Sequence, residues 1–144
     1  MSNLARAISI AAQAHQHQLD LAGTPYMLHL MRVMLAVRSE DERIVAILHD
    51  LLEDTDWTLE MVAAEGFSPE ILRSLDLITH RKGESYPDYI ARVKTDPVAA
   101  SVKLADMLDN LDLMRLQTLS AEDLERAVKY HRHSLELKNT LGRS

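Results

Sequence analysis

The stretch Ile44-Val45-Ala46-Ile47-Leu48-His49-Asp50-Leu51-Leu52-Glu53-Asp54 runs five apolar residues into a His-Asp pair and then, three residues past Asp50, into Glu-Asp. Ser39 with Glu42 three positions on matches a capping box, so the stretch reads as the body of a helix from about residue 40 to 53. Residues four apart on a helix stack, and neighbours differ by about 100°. His49 then sits over Glu53 and Asp50 over Asp54, within an arc of about 140°. Leu48, Leu51 and Leu52 take the rest of the circumference. Three carboxylates on so short an arc repel one another unless water or a cation neutralises them. Their apolar flanks argue against full solvation.

The same helical signals recur on both sides. Residues 3–18 place Leu4, Ile8, Ala11 and His15 on one helical face, and Gly23-Thr24-Pro25 ends that segment. Pro25 stands close to the first turn of a second helix, from Tyr26 to about Val37. A short helix from Asp56 or Thr58 runs through Ala64 and stops at Gly66. Ser68-Pro69 and Asp96-Pro97 are cap-plus-proline starts, the first for a helix to about Ile78, the second for a long helix to about Leu116. Between them lie a polar loop, residues 79–85, and a short helix from about Tyr89 to Lys94. Ser120 and Asp123 cap a last helix reaching about Leu141 before Gly142. No segment alternates with period two long enough to make a strand. The expected fold is all-α, one domain over residues 1–144, a bundle of about six to eight helices.

Composition narrows the function. The chain has 144 residues, 47% hydrophobic and 26% charged, enough for one real core. It has no Cys, so any metal must be held by His and carboxylates. A net charge of −6 disfavours a nucleic-acid or anionic-membrane surface. No apolar run approaches the roughly 20 residues of a membrane span, and residues 1–18 carry no signal-peptide core. A cytoplasmic protein acting on a small molecule is expected. Leu124, Val128, Leu135 and Leu141 either pack inward or meet a second subunit, so a homo-oligomer stays open.

Two further segments carry ligand-type residues. Lys103-Leu104-Ala105-Asp106-Met107-Leu108-Asp109-Asn110 lies in the long helix, with Asp106 and Asn110 four apart. Burying an Asp among so many apolar residues without a partner is very costly. His29 follows Pro25-Tyr26 on the second helix. Taken singly, His29 reads equally as a core histidine, Asp106 as an acceptor for Lys103, and Glu53 and Asp54 as helix caps. Together, His29, His49, Asp50 and Asp106 offer two imidazoles and two carboxylates, a set suited to Mn²⁺, Fe²⁺, Ni²⁺ or Zn²⁺ rather than Ca²⁺.

The order His…His-Asp…Asp resembles the HD superfamily of metal-dependent phosphohydrolases. More narrowly, Gly23-Thr24-Pro25-Tyr26-Met27-Leu28-His29, Leu48-His49-Asp50-Leu51-Leu52-Glu53-Asp54-Thr55 and Val102-Lys103-Leu104-Ala105-Asp106 with Asn110 look like the hydrolase domain of RelA/SpoT-type alarmone enzymes. The small single-domain alarmone hydrolases are nearest in size. The resemblance covers roughly residues 5–116. It implies Mn²⁺ held by His29, His49, Asp50 and Asp106, Glu53 and Asp54 acting on the attacking water, Asn110 contacting substrate, and removal of the 3′-pyrophosphate from (p)ppGpp. The 144 residues leave no length for a synthetase half, so synthesis is not expected.

The chain departs from that pattern in three places. Residues 19–22 read Leu-Asp-Leu-Ala, with Asp20 where the family carries a basic residue that stacks on guanine. The family's Ala-Asp-Arg-Leu-His-Asn is Ala105-Asp106-Met107-Leu108-Asp109-Asn110 here, and its Ala-His-x-Gly-Gln has His17 in place of Gly. Asp20 and Met107 motivate a competing reading, a nucleotide-binding sensor or regulatory HD domain with little catalysis; an HD hydrolase of another nucleotide is a further alternative. A phosphoanion substrate needs cations, and Arg81, Lys82 and Arg115 are the candidates. His15, His17, His131 and His133 are assigned no chemistry, and Trp57, Tyr86 and Tyr89 are read as packing residues.

Overall fold

Capping side chains start most of the helices where the sequence places them. The computed structural model describes residues 1–143, and among these the chain forms α1 Leu4–Ala14, α2 Tyr26–Ala36, α3 Glu40–Leu48, α4 Leu51–Asp54, α5 Leu59–Ala64, α6 Pro69–Ile78, α7 Tyr86–Val93, α8 Pro97–Asn110 and α9 Ala121–Thr140. A single 3₁₀ turn, Leu113–Arg115, follows α8. Asn3, Ser39, Thr58, Ser68, Ser85, Asp96 and Ser120 each accept a backbone N–H of the first turn. Ser39–Glu42 and Ser120–Asp123 close full capping boxes. The all-α expectation holds, with eight helices of at least six residues and the four-residue α4 besides.

The central helices are α3 and α8. Helix α3 packs against α1, α2, α6 and α8, and α8 in turn against α2, α3, α6, α7 and α9. A helix touched on so many sides must be apolar all round, and Ile44, Val45, Ala46, Ile47 and Leu48 are all buried. In α8, Ala99, Ala100, Ala105 and Ser101 keep the surface small where neighbours approach, and Val102, Leu104 and Met107 fill the gaps. Leu48→Ala, at 0% exposure, is expected to cost about 2–5 kcal/mol. Urea denaturation should show this as a lower midpoint at unchanged slope.

Four boundaries differ from the sequence reading. Helix α1 ends at Ala14, because the chain turns at residues 15–17. Helix α7 starts at Tyr86 rather than Tyr89: Ser85-Tyr86-Pro87 is one more cap-plus-proline start. Helix α8 closes at Asn110, six residues early, through Leu111 and the turn that follows. The helix expected across residues 40–53 is broken at His49-Asp50 into α3 and α4. On α9, Leu124, Val128 and Leu135 are exposed, whereas Leu137 is fully buried and Leu141 packs against the core. No helix among the described residues is long and apolar enough to cross a membrane.

Candidate metal centre

The break after Leu48 aims the His-Asp pair. With α3 ended, the carbonyl of Ala46 has no α-helical partner and takes the Nδ1–H of His49 at 2.6 Å. That bond leaves Nε2 of His49 pointing away from its own helix. This Nε2 is buried and has no hydrogen-bond partner. It lies 3.1 Å from Asp50 Oδ2 and 3.3 Å from Asp106 Oδ1. From α2, Nε2 of His29 comes within 3.0 Å of Asp106 Oδ1 and 4.0 Å of Asp50 Oδ2. Three chain segments thus bring two imidazole nitrogens and two carboxylate oxygens to one point. His29, His49 and Asp50 each present a ligand atom within 4.8 Å of the others, a group able to hold a metal ion. The stacked arc expected on one continuous helix is not what forms it. Asp50 sits at the break, ahead of α4, where the Tyr26 hydroxyl donates to it.

Asp106, beside that group, is the most heavily hydrogen-bonded of the candidate ligands. Lys103 Nζ donates to its Oδ2 at 2.8 Å and Asn110 Nδ2 to its Oδ1 at 3.1 Å. Burial disfavours the charge of Asp106, but Lys103 and the two histidines outweigh it and hold the carboxyl well below the usual range. The converse holds for the imidazoles. Burial opposes their charge, but the facing acids raise both above an ordinary histidine. Protons therefore compete with a cation for this cage.

Above the cage opens a cavity of about 390 Å³ whose lining includes Leu19, Asp20, Tyr26, Glu53, Asp54, Lys103, Asn110, Asp112, Arg115 and Tyr130. Glu53 and Asp54 stand on α4 beside Asp50. Crowding by the pocket walls raises both carboxyls, although backbone N–H of His80 donates to Glu53 Oε1 at 2.6 Å and Gln18 Nε2 to Asp54 Oδ2 at 3.1 Å. Six acids line the cavity (Asp20, Asp50, Glu53, Asp54, Asp106, Asp112) against the two cationic side chains Lys103 and Arg115. Such a surface repels phosphate unless a metal ion changes its sign.

The structure gathers some sequence candidates here and leaves others out. Asn110 and Arg115 line the cavity. Arg115 turns its guanidinium toward acids of the chain itself, at 3.7 Å from Asp20, 3.4 Å from Asp109 and 3.6 Å from Asp112. Arg81 and Lys82 are not part of the lining; Arg81 is exposed and faces Asp76 at 3.5 Å. Asp20, acidic where a base-stacking cation was the family pattern, builds its own turn. Its Oδ1 accepts from Ala22 N and Thr24 N at 2.9 and 3.0 Å, and its Oδ2 from Thr24 Oγ1 at 2.7 Å. Gly23 at φ +81° completes that turn, a conformation only glycine adopts freely. Leu19, Leu21 and Ala22 of the same loop form the cavity wall. Met107 points into the core at 0% exposure and takes no part in the lining. Tyr89 is buried, its hydroxyl donating to Ile78 O.

Two residues of the site lie beyond the sequence reading. Lys103 was visible only as a dull partner for Asp106. Buried at the cavity floor, it holds Asp106 Oδ2 so that Oδ1 faces the histidines. Asp109 accepts the Nδ1–H of His29 at 2.6 Å. The i, i+3, i+4 stripe of Asp106, Asp109 and Asn110 was the signal available for it.

Comparison with known proteins supplies the family. No family model matches the chain. A probable GTP pyrophosphokinase of Mycobacterium leprae is 34% identical over 128 residues, which are 80% of this chain and 16% of that protein. A guanosine-3′,5′-bis(diphosphate) 3′-pyrophosphohydrolase of Aquifex aeolicus is 31% identical over 118 residues, 74% of this chain and 17% of the relative. The chain thus spans about a sixth of the length of these two. The Drosophila melanogaster guanosine-3′,5′-bis(diphosphate) 3′-pyrophosphohydrolase MESH1 is 31% identical over 137 residues, 85% of this chain and 75% of its own length. A solved structure, described as a metazoan ortholog of SpoT that hydrolyzes ppGpp, superposes with a TM-score of 0.77 at 22% identity over 99% of this chain and 93% of that one, and shows the same fold. By its sequence similarity to MESH1 over three quarters of that protein, this chain belongs to the family of guanosine-3′,5′-bis(diphosphate) 3′-pyrophosphohydrolases.

Proposed function

We propose that the chain is a Mn²⁺-dependent HD-type hydrolase that removes the 3′-pyrophosphate of (p)ppGpp, with His29, His49, Asp50 and Asp106 holding the metal. One observation carries the reading. A buried imidazole nitrogen without a hydrogen-bond partner faces a second imidazole and two carboxylates, beneath a cavity too acidic to receive phosphate unaided. The names of the relatives supply the nucleotide.

His29, His49, Asp50 and Asp106 would hold a divalent cation, which would supply Lewis acidity toward the phosphoryl oxygens and offset the surrounding carboxylates. The remaining work falls to the protein. Glu53, with its pKa raised by its crowded position, accepts a proton from the attacking water. Asp54, tethered by Gln18, lies beside it and orients that water. The water oxygen forms the new bond to the phosphorus carried by the 3′-oxygen. The bond from that phosphorus to the 3′-oxygen breaks, the leaving oxygen takes up a proton from solvent as pyrophosphate departs, and Glu53 returns its own proton to solvent. Lys103 keeps the Asp106 carboxylate ionised and oriented, and Asn110 fixes its other oxygen. Leu19, Leu21 and Ala22 give the nucleoside an apolar wall in place of a stacking cation.

The test is pyrophosphate release from guanosine-3′,5′-bis(diphosphate) and a panel of other nucleotides, in Mn²⁺ and in EDTA. Release that disappears in EDTA and returns with Mn²⁺ is the expected result. Protein that binds Mn²⁺ yet turns over no nucleotide of the panel would remove the enzymatic reading and leave a binding module.

A further inference from the structure

We propose that Asp109 is a positioning residue of the metal centre, its carboxylate clamped by Arg32 and Arg115 so that it fixes the ring of His29 with Nε2 toward the cage. This inference rests on the metal-centre reading above.

An imidazole can serve as a ligand through one nitrogen only if the other keeps its proton and a defined acceptor. For His49 that acceptor is a backbone carbonyl of its own helix. His29, the fourth residue of α2, sends its Nδ1–H instead to Asp109 Oδ2 at 2.6 Å, across to α8. A carboxylate on a rotatable side chain would be a poor anchor unless it were itself held. Arg32 supplies a two-point grip, with Nε to Oδ1 at 2.7 Å and Nη2 to Oδ2 at 3.2 Å. Arg115 adds Nη2 to Oδ2 at 3.4 Å and binds the Asp109 carbonyl at 2.7 Å. The acid is thus oriented from three sides by α2 and by the turn after α8, and its side chain is only 12% exposed.

The clamp has a second consequence. The guanidinium of Arg115 also lies 3.7 Å from Asp20, the acid that builds the 20–24 turn. The cavity wall carried by that turn and the Asp109 carboxylate that holds His29 are therefore tied together through one residue, Arg115. Arg115 acts here through its neighbours rather than as a free cation for phosphate.

The experiment titrates Mn²⁺ into wild-type protein, Asp109→Asn and Arg32→Ala, reading the free aqua ion by electron paramagnetic resonance. Each protein loaded with Zn²⁺ is also examined by ¹⁵N-histidine NMR. Asp109→Asn keeps the volume but not the charge. It is expected to weaken Mn²⁺ binding about 10–100-fold and to shift and broaden the slowly exchanging Nδ1–H signal of His29, because an amide oxygen accepts that proton more weakly than a carboxylate. Arg32→Ala alters a side chain 37% exposed and should weaken binding less while broadening the same signal. If Asp109→Asn does not fold, Arg32→Ala decides. Unchanged Mn²⁺ affinity together with an unchanged His29 signal in the folded variants overturns the positioning role. A wild-type protein that binds no Mn²⁺ overturns the metal-centre reading itself, a separable failure.

Discussion

Asp106→Ala is expected to abolish divalent-cation binding and with it all nucleotide turnover. The residue supplies an oxygen close to Nε2 of both imidazoles, 3.0 Å from His29 and 3.3 Å from His49. No neighbouring carboxylate can take its place, because Asp50 lies 4.0 Å from His29 on the other side of the cage. The substitution also leaves the ammonium of Lys103 buried without its 2.8 Å partner. Breaking one half of a buried ion pair costs about 3–5 kcal/mol, a large share of the stability of a small domain. Asp106→Asn separates the two effects. It keeps the shape and a hydrogen-bonding oxygen, yet lacks the charge that attracts a cation. Calorimetric Mn²⁺ titration and thermal melting in EDTA check both variants. Wild-type Mn²⁺ affinity in folded Asp106→Asn would mean that the ion, if bound, is bound elsewhere.

Glu53→Gln should show the opposite pattern, with metal retained and chemistry lost. Glu53 takes no part in the cage; it stands on α4 at the cavity wall, with His80 N–H on its Oε1. Glutamine can accept that same bond through its amide oxygen, so the local structure should survive. What it lacks is a basic oxygen, and removing a general base costs about 10²–10⁴-fold in rate. Single-turnover kinetics at saturating Mn²⁺ is the measurement, and an unchanged rate would move the base to Asp54. A pH dependence follows. Burial and the nearby acids raise the Glu53 carboxyl above an ordinary glutamate. The active species is the ionised one, so kcat/KM should fall on the acid side as Glu53 takes up its proton. In Glu53→Gln that limb should disappear from the residual rate.

Much of this site could be read from residue spacing. The candidate ligands His49, Asp50 and Asp106 are legible because each breaks a local rule: His49 and Asp50 end a run of buried aliphatic residues, and Asp106 sits in a helix otherwise apolar on most faces. The helix starts are legible because Ser, Thr and Asp caps act over three residues. What escaped the reading acts between elements. The break between α3 and α4 leaves no cap or glycine at residues 49–50 to announce it. Packing sets it, through the need of His49 to bond Ala46 O and face inward. Arg81 and Lys82 form a basic cluster in sequence but take no part in the cavity lining, and nothing in a linear charge pattern states which way a loop turns.

Read as a line, then, the polypeptide determined its all-helical class, the order of its helices and the types of atom that could hold a cation, since these depend on propensity, capping and side-chain chemistry within a few residues. Only the tertiary arrangement decided that Asp109 rather than solvent meets His29, that Lys103 and Asn110 divide the two oxygens of Asp106, and that Arg115 faces Asp20, Asp109 and Asp112. These contacts join α2 to α8, join the turn after α8 to the 20–24 turn, or fix which way a side chain turns within α8 and the turn that follows it. Their geometry is set by how the cores of the helices pack, information that no short window of sequence contains.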